Sequence, residues 1–184
     1  MAGIIAISGK SGCGNSTVSG LVAAALGFDL VNFTFKNLAA ERGMSFEEII
    51  EKSKTDDSFD LEVDRRQVAL ARAGNRVVGS RLALWLLKKD ADLRVYLWAS
   101  PEVRAMRIRA REGMASHADP AFTRARDESD HNRYLRLYGY DNDDFTDADL
   151  VINTERFAPA AIASIIVDAW RHRDRHARES IGGR

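Results

Sequence analysis

The chain has 184 residues, enough for one domain with a substantial core and too few for two domains of ordinary size. Its 27 Lys and Arg balance 27 Asp and Glu, which excludes a general attraction to nucleic acid or an anionic membrane, so any anion specificity must be local. The single cysteine, Cys13, excludes an internal disulfide and a cysteine-built metal site and suits a reducing compartment, so the cytoplasm is the expected location.

The first element is Ile4-Ile5-Ala6-Ile7, a short β-branched run that does not alternate, as in a strand buried on both faces of a parallel sheet. It lacks the basic flank of a secretion signal, and no segment of the chain reaches the ~20 apolar residues of a membrane span. A helix follows over 16–26, with Val18, Leu21, Val22 and Leu26 on one face and Gly27 as its stop, and 29–35 reads as the second strand. Ser45 and Glu48 form a capping box for a helix over 45–54, and a further helix covers 61–72 and ends at Gly74-Asn75. Strands are expected at 76–79 and 94–99, on either side of a helical pattern over 82–88. After Pro101 an arginine-rich helical region, too charged for core, runs to about Gly139 with a break over 113–120. A strand, Leu150-Val151-Ile152-Asn153, and an apolar-faced helix over about 159–173 come last, before a charged tail expected to fray. This alternation predicts right-handed crossovers and a five-stranded parallel sheet flanked by helices, and the glycine-rich loop Gly9 to Thr17 between the first strand and the first helix makes the expected α/β fold one of the P-loop NTPase type.

The chemistry concentrates in Gly9-Lys10-Ser11-Gly12-Cys13-Gly14-Asn15-Ser16-Thr17, between the first strand and the first helix. Glycines let the backbone turn its N–H groups inward, and the helix N-terminus adds positive charge, so the loop is a phosphate cradle and the expected ATP site. Ser16 stands where such loops place the hydroxyl that binds Mg²⁺. The position usually held by a lysine carries Asn15, which can donate hydrogen bonds but brings no charge to the transferring phosphoryl group. Lys10 is a candidate catalytic replacement, and its place resembles that of the signature lysine in deviant Walker A ATPases; the alternative is a solvated loop lysine.

Eight arginines crowd 104–136: Arg104, Arg107, Arg109, Arg111, Arg124, Arg126, Arg133 and Arg136. Arg126 and Arg133 are seven residues apart, two helical turns, so both can face one phosphate group or pair with Asp127, Glu128 and Asp130 on an ordinary helix surface.

Beyond the loop, the order of segments resembles the archaeal-type cytidylate kinases of the nucleoside monophosphate kinase superfamily. The resemblance is carried by Ile7-Ser8-Gly9, Ala40-Glu41-Arg42-Gly43-Met44-Ser45, Val63-Asp64-Arg65-Arg66-Gln67, Arg81-Leu82-Ala83 with Trp85, Ala110-Arg111-Glu112-Gly113, Arg126-Asp127-Glu128-Ser129, Arg133-Tyr134 and Leu150-Val151-Ile152-Asn153-Thr154. It implies transfer of the γ-phosphoryl group of ATP to CMP or dCMP with Mg²⁺. It also implies one kinase domain in three parts: a core (1–30, 74–103 and 148–175), a monophosphate-binding segment (about 31–73) and a lid (about 104–147). Arg126 and Arg133 become the catalytic lid arginines, and Lys36 and Arg81 the grip on the acceptor phosphate. Asp64 becomes a reader of the base, with a helix-surface carboxylate as the alternative. Small nucleotides are the implied partners, with neither nucleic acid nor membrane, and a monomer is expected with a homodimer as the alternative. The chain departs from the family in carrying Gly79-Ser80-Arg81 for Glu-Gly-Arg and a shorter stretch at Asn32-Phe33-Thr34-Phe35. With Asn15, these departures leave two alternatives, a degenerate regulatory nucleotide-binding protein and a kinase for another monophosphate.

Trp85, Trp98 and Trp170 are expected in the core, and His117, His131, His172 and His176 at the surface. The acidic run Asp141, Asp143, Asp144 and Asp147 lacks the spaced Gly and terminal Glu of a calcium loop and reads as a lid-to-core turn.

Overall fold

The computed structural model describes residues 3–112 and 120–173. Strand β1 (Ile4–Ser8) is buried along its whole length, with Ile5 and Ile7 entering one apolar layer and Ile4 and Ala6 the other. It lies at the centre of a parallel sheet with β2 (Asp29–Val31), β3 (Arg76–Gly79), β4 (Leu93–Trp98) and β5 (Leu150–Asn153), in the order β2-β3-β1-β4-β5. The five-stranded parallel sheet expected from the alternation is the sheet observed.

One face is covered by α1 (Asn15–Leu26) and α8 (Pro159–His172), where Val18, Val22, Ile162, Ile166 and Trp170 close over Ile5, Ile7, Val95 and Leu97. On the other face α4 (Ser58–Ala71) and α5 (Ala83–Leu86) bring Ala71 and Ala83 to Ile4, Ala6 and Val78. Helices α2 (Phe35–Arg42) and α3 (Phe46–Ser53) join α4 around a separate cluster of Phe33, Leu38, Ile49, Phe59 and Val63. Two arginine-rich helices, α6 (Pro101–Glu112) and α7 (Pro120–Tyr138), follow β4. Tyr134 of α7 packs with Trp85 and Tyr96, and Phe145 stacks on Tyr96 with ring centroids 4.4 Å apart. The turn over 141–147 is thereby seated on the carboxyl half of β4.

Several expectations are corrected. The second strand ends at Val31, not Phe35, because Thr34 and Asn37 cap a helix there: the Thr34 N–H donates to Asn37 Oδ1 at 2.9 Å, and Gln67 holds the Phe33 carbonyl at 2.9 Å. The helix expected at 61–72 begins a turn earlier, at Ser58, whose N–H donates to Asp56 Oδ1. Trp85 and Trp170 are buried as expected, but Trp98 at the end of β4 is 40% exposed. The arginine-rich region is not all surface, since Arg104 is only 2% exposed and Tyr134 and Thr123 are buried. His131 is half-buried, with Nδ1 2.9 Å from Asn142 Oδ1, while His172 is exposed. The Ser45–Glu48 capping box forms as read. The break expected over 113–120, apart from Pro120 itself, and the residues after 173, with His117 and His176, lie outside the described residues. Among the described residues no helix is long and apolar enough to cross a membrane.

Candidate active site

Residues 9–14 join β1 to α1 at the carboxyl edge of the sheet, where open α/β folds bind ligands. The Cys13 N–H closes a turn onto the Lys10 carbonyl at 3.1 Å, and Gly14, at φ +98°, caps α1. The first turn of α1 carries no acidic residue, so its positive end is not neutralised, and Ser16 and Thr17 stand exposed there. Cys13 is buried, and burial pushes its thiol up to about 11, so it stays protonated and serves the core.

Helix α6 grips the outside of the loop. Arg104 donates to the Ala99 carbonyl (3.1 Å) and the Ser11 carbonyl (3.2 Å) and forms a two-pronged pair with Asp127 of α7. Arg107 holds the Gly12 carbonyl (3.3 Å) and both oxygens of Thr154. Gly12, at φ +87°, has no room for a side chain, because a Cβ there would lie 2.9 Å from Cβ and O of Arg104. Removing one partner of a buried pair such as Arg104–Asp127 costs about 3–5 kcal/mol, whereas an exposed pair such as Arg124–Glu102 contributes about 0–1 kcal/mol. The Arg104–Asp127 pair is therefore the one that matters for the loop.

Asn15 turns its amide back across the loop and donates to the Gly9 carbonyl at 2.6 Å, while its Oδ1 is buried without a hydrogen-bond partner among the described residues. Its donor is spent on the loop itself. Lys10 is not a free loop lysine, because its ammonium pairs with Asp143 of the turn over 141–147, leaving it partly exposed. His131 Nδ1 lies 3.6 Å from both Asp141 and Asp143. These three side chains lie close together, but the Lys10 ammonium already neutralises Asp143.

Arg81 follows β3 and pairs with Asp130 Oδ2, while Arg133 donates to Asp130 Oδ1 at 2.8 Å and reaches Asp60 at 3.4 Å. Two arginines from different segments thus share one carboxylate, Asp130, which together with Arg81 lines a narrow cleft beside Gly9, Lys10, Asp127 and Asn142. The Nε of Arg133 is buried without a hydrogen-bond partner among the described residues, although the Tyr134 hydroxyl lies beside the guanidinium. On the far side of Lys10 a cavity of about 410 Å³ opens between Cys13, Trp98, Arg104, Asp127 and Phe145. Gly79, at the end of β3, packs on Ser19 so closely that a Cβ would lie 2.4 Å from its Oγ, so no carboxylate side chain can stand there.

The remaining sequence-derived residues are dispersed. Lys36 is exposed on α2, with its ammonium over the Phe46 ring at 5.6 Å, so it and Arg81 are held by different partners. Arg126 is half-buried on α7, two turns before Arg133. Asp64 is not a surface carboxylate paired with neighbouring arginines: it accepts a hydrogen bond from the Tyr138 hydroxyl, and burial pushes its carboxyl up to about 6. Asp57 pairs with Arg136 and Asp60 with Arg133, so one side of α4 faces α7. Sequence reasoning does not single out Asp57, Asp60, Arg104 or Asp130 as site residues. The acidic stripe 57, 60, 64 at helical spacing is the available signal for the first two.

A phosphate cradle on the edge of a parallel sheet, with arginines converging on it from two flanking segments, defines a P-loop phosphotransferase. The fold is shared with shikimate kinase from Bacteroides thetaiotaomicron, with a TM-score of 0.66 over 93% of this chain and 99% of that one at 14% identity. Residues 4–156 match the model of the cytidylate kinase-like family. The chain is 44% identical over 168 residues to cytidylate kinase 2 of Borreliella burgdorferi, covering 89% of this chain and 93% of the relative. It is 38% identical over 175 residues to cytidylate kinase of Pyrococcus horikoshii, covering 93% and 90%. The chain belongs to the cytidylate kinase-like family and is a nucleoside monophosphate kinase.

Proposed function

We propose that the enzyme moves the γ-phosphoryl group of ATP to CMP or dCMP with Mg²⁺. The observation that carries this reading is that Arg81 and Arg133, two fork-shaped cations, meet at Asp130, which with Arg81 lines the same cleft as Gly9 and Lys10 of the phosphate cradle. The donor phosphates lie in the loop over residues 9–17, with the nucleoside on the Trp98 side. The acceptor lies on the Arg81 side, its phosphate gripped by Arg81 and Lys36, and Arg126 and Arg133 close over the group in flight. An acceptor phosphate oxygen attacks the γ-phosphorus, the bond to the β,γ-bridging oxygen breaks, and ADP leaves as the acceptor becomes a diphosphate. Ser16, exposed at the start of α1, would hold the Mg²⁺, which neutralises charge between the terminal phosphates. With no carboxylate at the end of β3, the protein's share of that coordination falls to Ser16. All these residues come from one chain, so a monomer suffices.

A coupled assay with ATP, Mg²⁺ and a panel of CMP, dCMP, UMP, AMP and GMP tests the reading, run beside Asn15→Lys. Turnover of CMP and dCMP by the parent is expected, with Asn15→Lys raising kcat by no more than about tenfold, or 1.4 kcal/mol. Tight ATP binding without transfer, restored by Asn15→Lys, would instead identify a degenerate regulatory protein.

Asp64 supplies a second expectation. As a carboxylate it accepts a hydrogen bond from the exocyclic amine of cytosine, which uracil lacks. Its folded-state value of about 6 means that this form is present above that pH and lost below it. KM for CMP therefore rises by up to about tenfold per unit as the pH falls below about 6. Asp64→Asn removes that dependence while leaving the titration of the acceptor phosphate near pH 6 in both proteins. Identical KM–pH profiles for parent and variant would rule out base reading by Asp64.

A further inference from the structure

We propose that Arg104 is a positioning residue that holds the phosphate loop in its anion-binding form and, through Asp127, ties that loop to α7. The proposal rests on the donor-loop reading above and adds the device that shapes the loop.

Arg104 lies in the first turn of α6 and is 2% exposed, a depth at which a guanidinium needs directed partners for its donors. It finds them on three elements at once: the Ala99 carbonyl just past β4, the Ser11 carbonyl in the loop, and Asp127 of α7. One turn further along α6, Arg107 takes the next carbonyl of the loop, that of Gly12. Two consecutive loop carbonyls are thus turned toward α6. A trans peptide places its N–H opposite its carbonyl, so fixing the Ser11 carbonyl outward directs the Gly12 N–H toward the cradle. Backbone contact between Gly12 and Arg104 removes the remaining lateral freedom.

The Asp127 end does different work. Asp127 follows Arg126 and precedes Arg133 by six residues, so anchoring it sets the rotation of α7 and with it the aim of both arginines. The same helix is held to α4 by Arg136–Asp57 and Arg133–Asp60. Helix α7 is therefore slung between the acceptor segment and the donor loop, and Arg104–Asp127 is its donor-side attachment.

The test uses the full chain in two variants, read by ATP calorimetry and steady-state kinetics. In Arg104→Lys a single ammonium cannot serve Ala99, Ser11 and Asp127 together, so Kd and KM for ATP rise at least about tenfold while KM for the acceptor stays within about twofold. The isosteric Asp127→Asn keeps the loop contacts of Arg104. Its Kd for ATP stays within about threefold, and kcat falls about tenfold because the arginines of α7 lose their aim. An ATP stoichiometry equal to the parent's shows that this fall is not a loss of folded protein. Parent values of kcat and of Kd for ATP in both variants, with only a lower melting temperature, would overturn the proposal. Should Arg104→Lys fail to fold, Asp127→Asn decides by the same criterion. Failure of the parent itself to bind ATP would overturn the donor-loop reading beneath it, a separate result.

Discussion

Replacing Arg133 by Ala lowers kcat/KM by about 10²–10³-fold, the range seen when one preorganised donor to developing charge is removed from a water-excluded site. Arg133 holds Asp130 and Asp60 with its two terminal nitrogens, and its buried Nε has no hydrogen-bond partner among the described residues. A donor desolvated without an acceptor is costly unless a ligand supplies one, and in the proposed reaction a phosphoryl oxygen would do so. Asp130 binds Arg81 as well, so the guanidinium of Arg133 is already tied to the proposed acceptor grip before any nucleotide arrives. Arg133→Lys retains the charge but not the fork, and its loss is about tenfold. The Ala variant also leaves Asp60 and Asp130 undercompensated, so its kinetics are measured well below its melting temperature. Parent turnover in Arg133→Ala would show that the residue only braces α7 against α4.

Lys10→Ala is expected to lower kcat by about 10²-fold, for a reason that begins at a different residue. Asn15 carries no charge and has spent its amide on the Gly9 carbonyl, so the cradle has no cation of its own at the usual place. Lys10, in the same loop, is held at its rim by Asp143, whose side chain is 55% exposed. A pair so open to solvent contributes about 0–1 kcal/mol, and a terminal phosphate of higher charge can outcompete the carboxylate for the ammonium. Asp143→Asn releases Lys10 without removing it, so kcat is preserved and KM for ATP falls by about two- to fivefold. Steady-state kinetics of the two variants decide the matter: unchanged turnover in Lys10→Ala reduces the pair to a tether between loop and turn.

The contrast between Lys10 and Arg81 shows where legibility ends. The loop can be read residue by residue because strand, glycines and helix start are consecutive, and the positions of its backbone groups follow from that order. Which way Lys10 points depends on Asp143, far along the chain, and no spacing rule connects the two. Arg104 reads as one more surface arginine because it belongs to an arginine-rich stretch that looks too charged for core. Its burial follows from α6 lying against Gly12, a tertiary contact. Trp98 differs in the opposite sense: an apolar residue in a strand reads as core, but on the face it shares with Tyr96 the cover stops at Phe145.

The sequence by itself determined the parallel sheet, the phosphate cradle and the family, because each rests on short-range periodicity or on motifs whose members are neighbours in the chain. Only the tertiary structure decided the pairs that set the site, Arg81 with Asp130 across 49 residues, Asp64 with Tyr138 across 74 and Arg104 with Ser11 across 93. Charges separated so widely find one another only through how α7 and α6 lie on the sheet edge. Packing of Tyr134 and Phe145 against β4 seats α7 at that edge, and only then can the ion pairs form and fix its rotation.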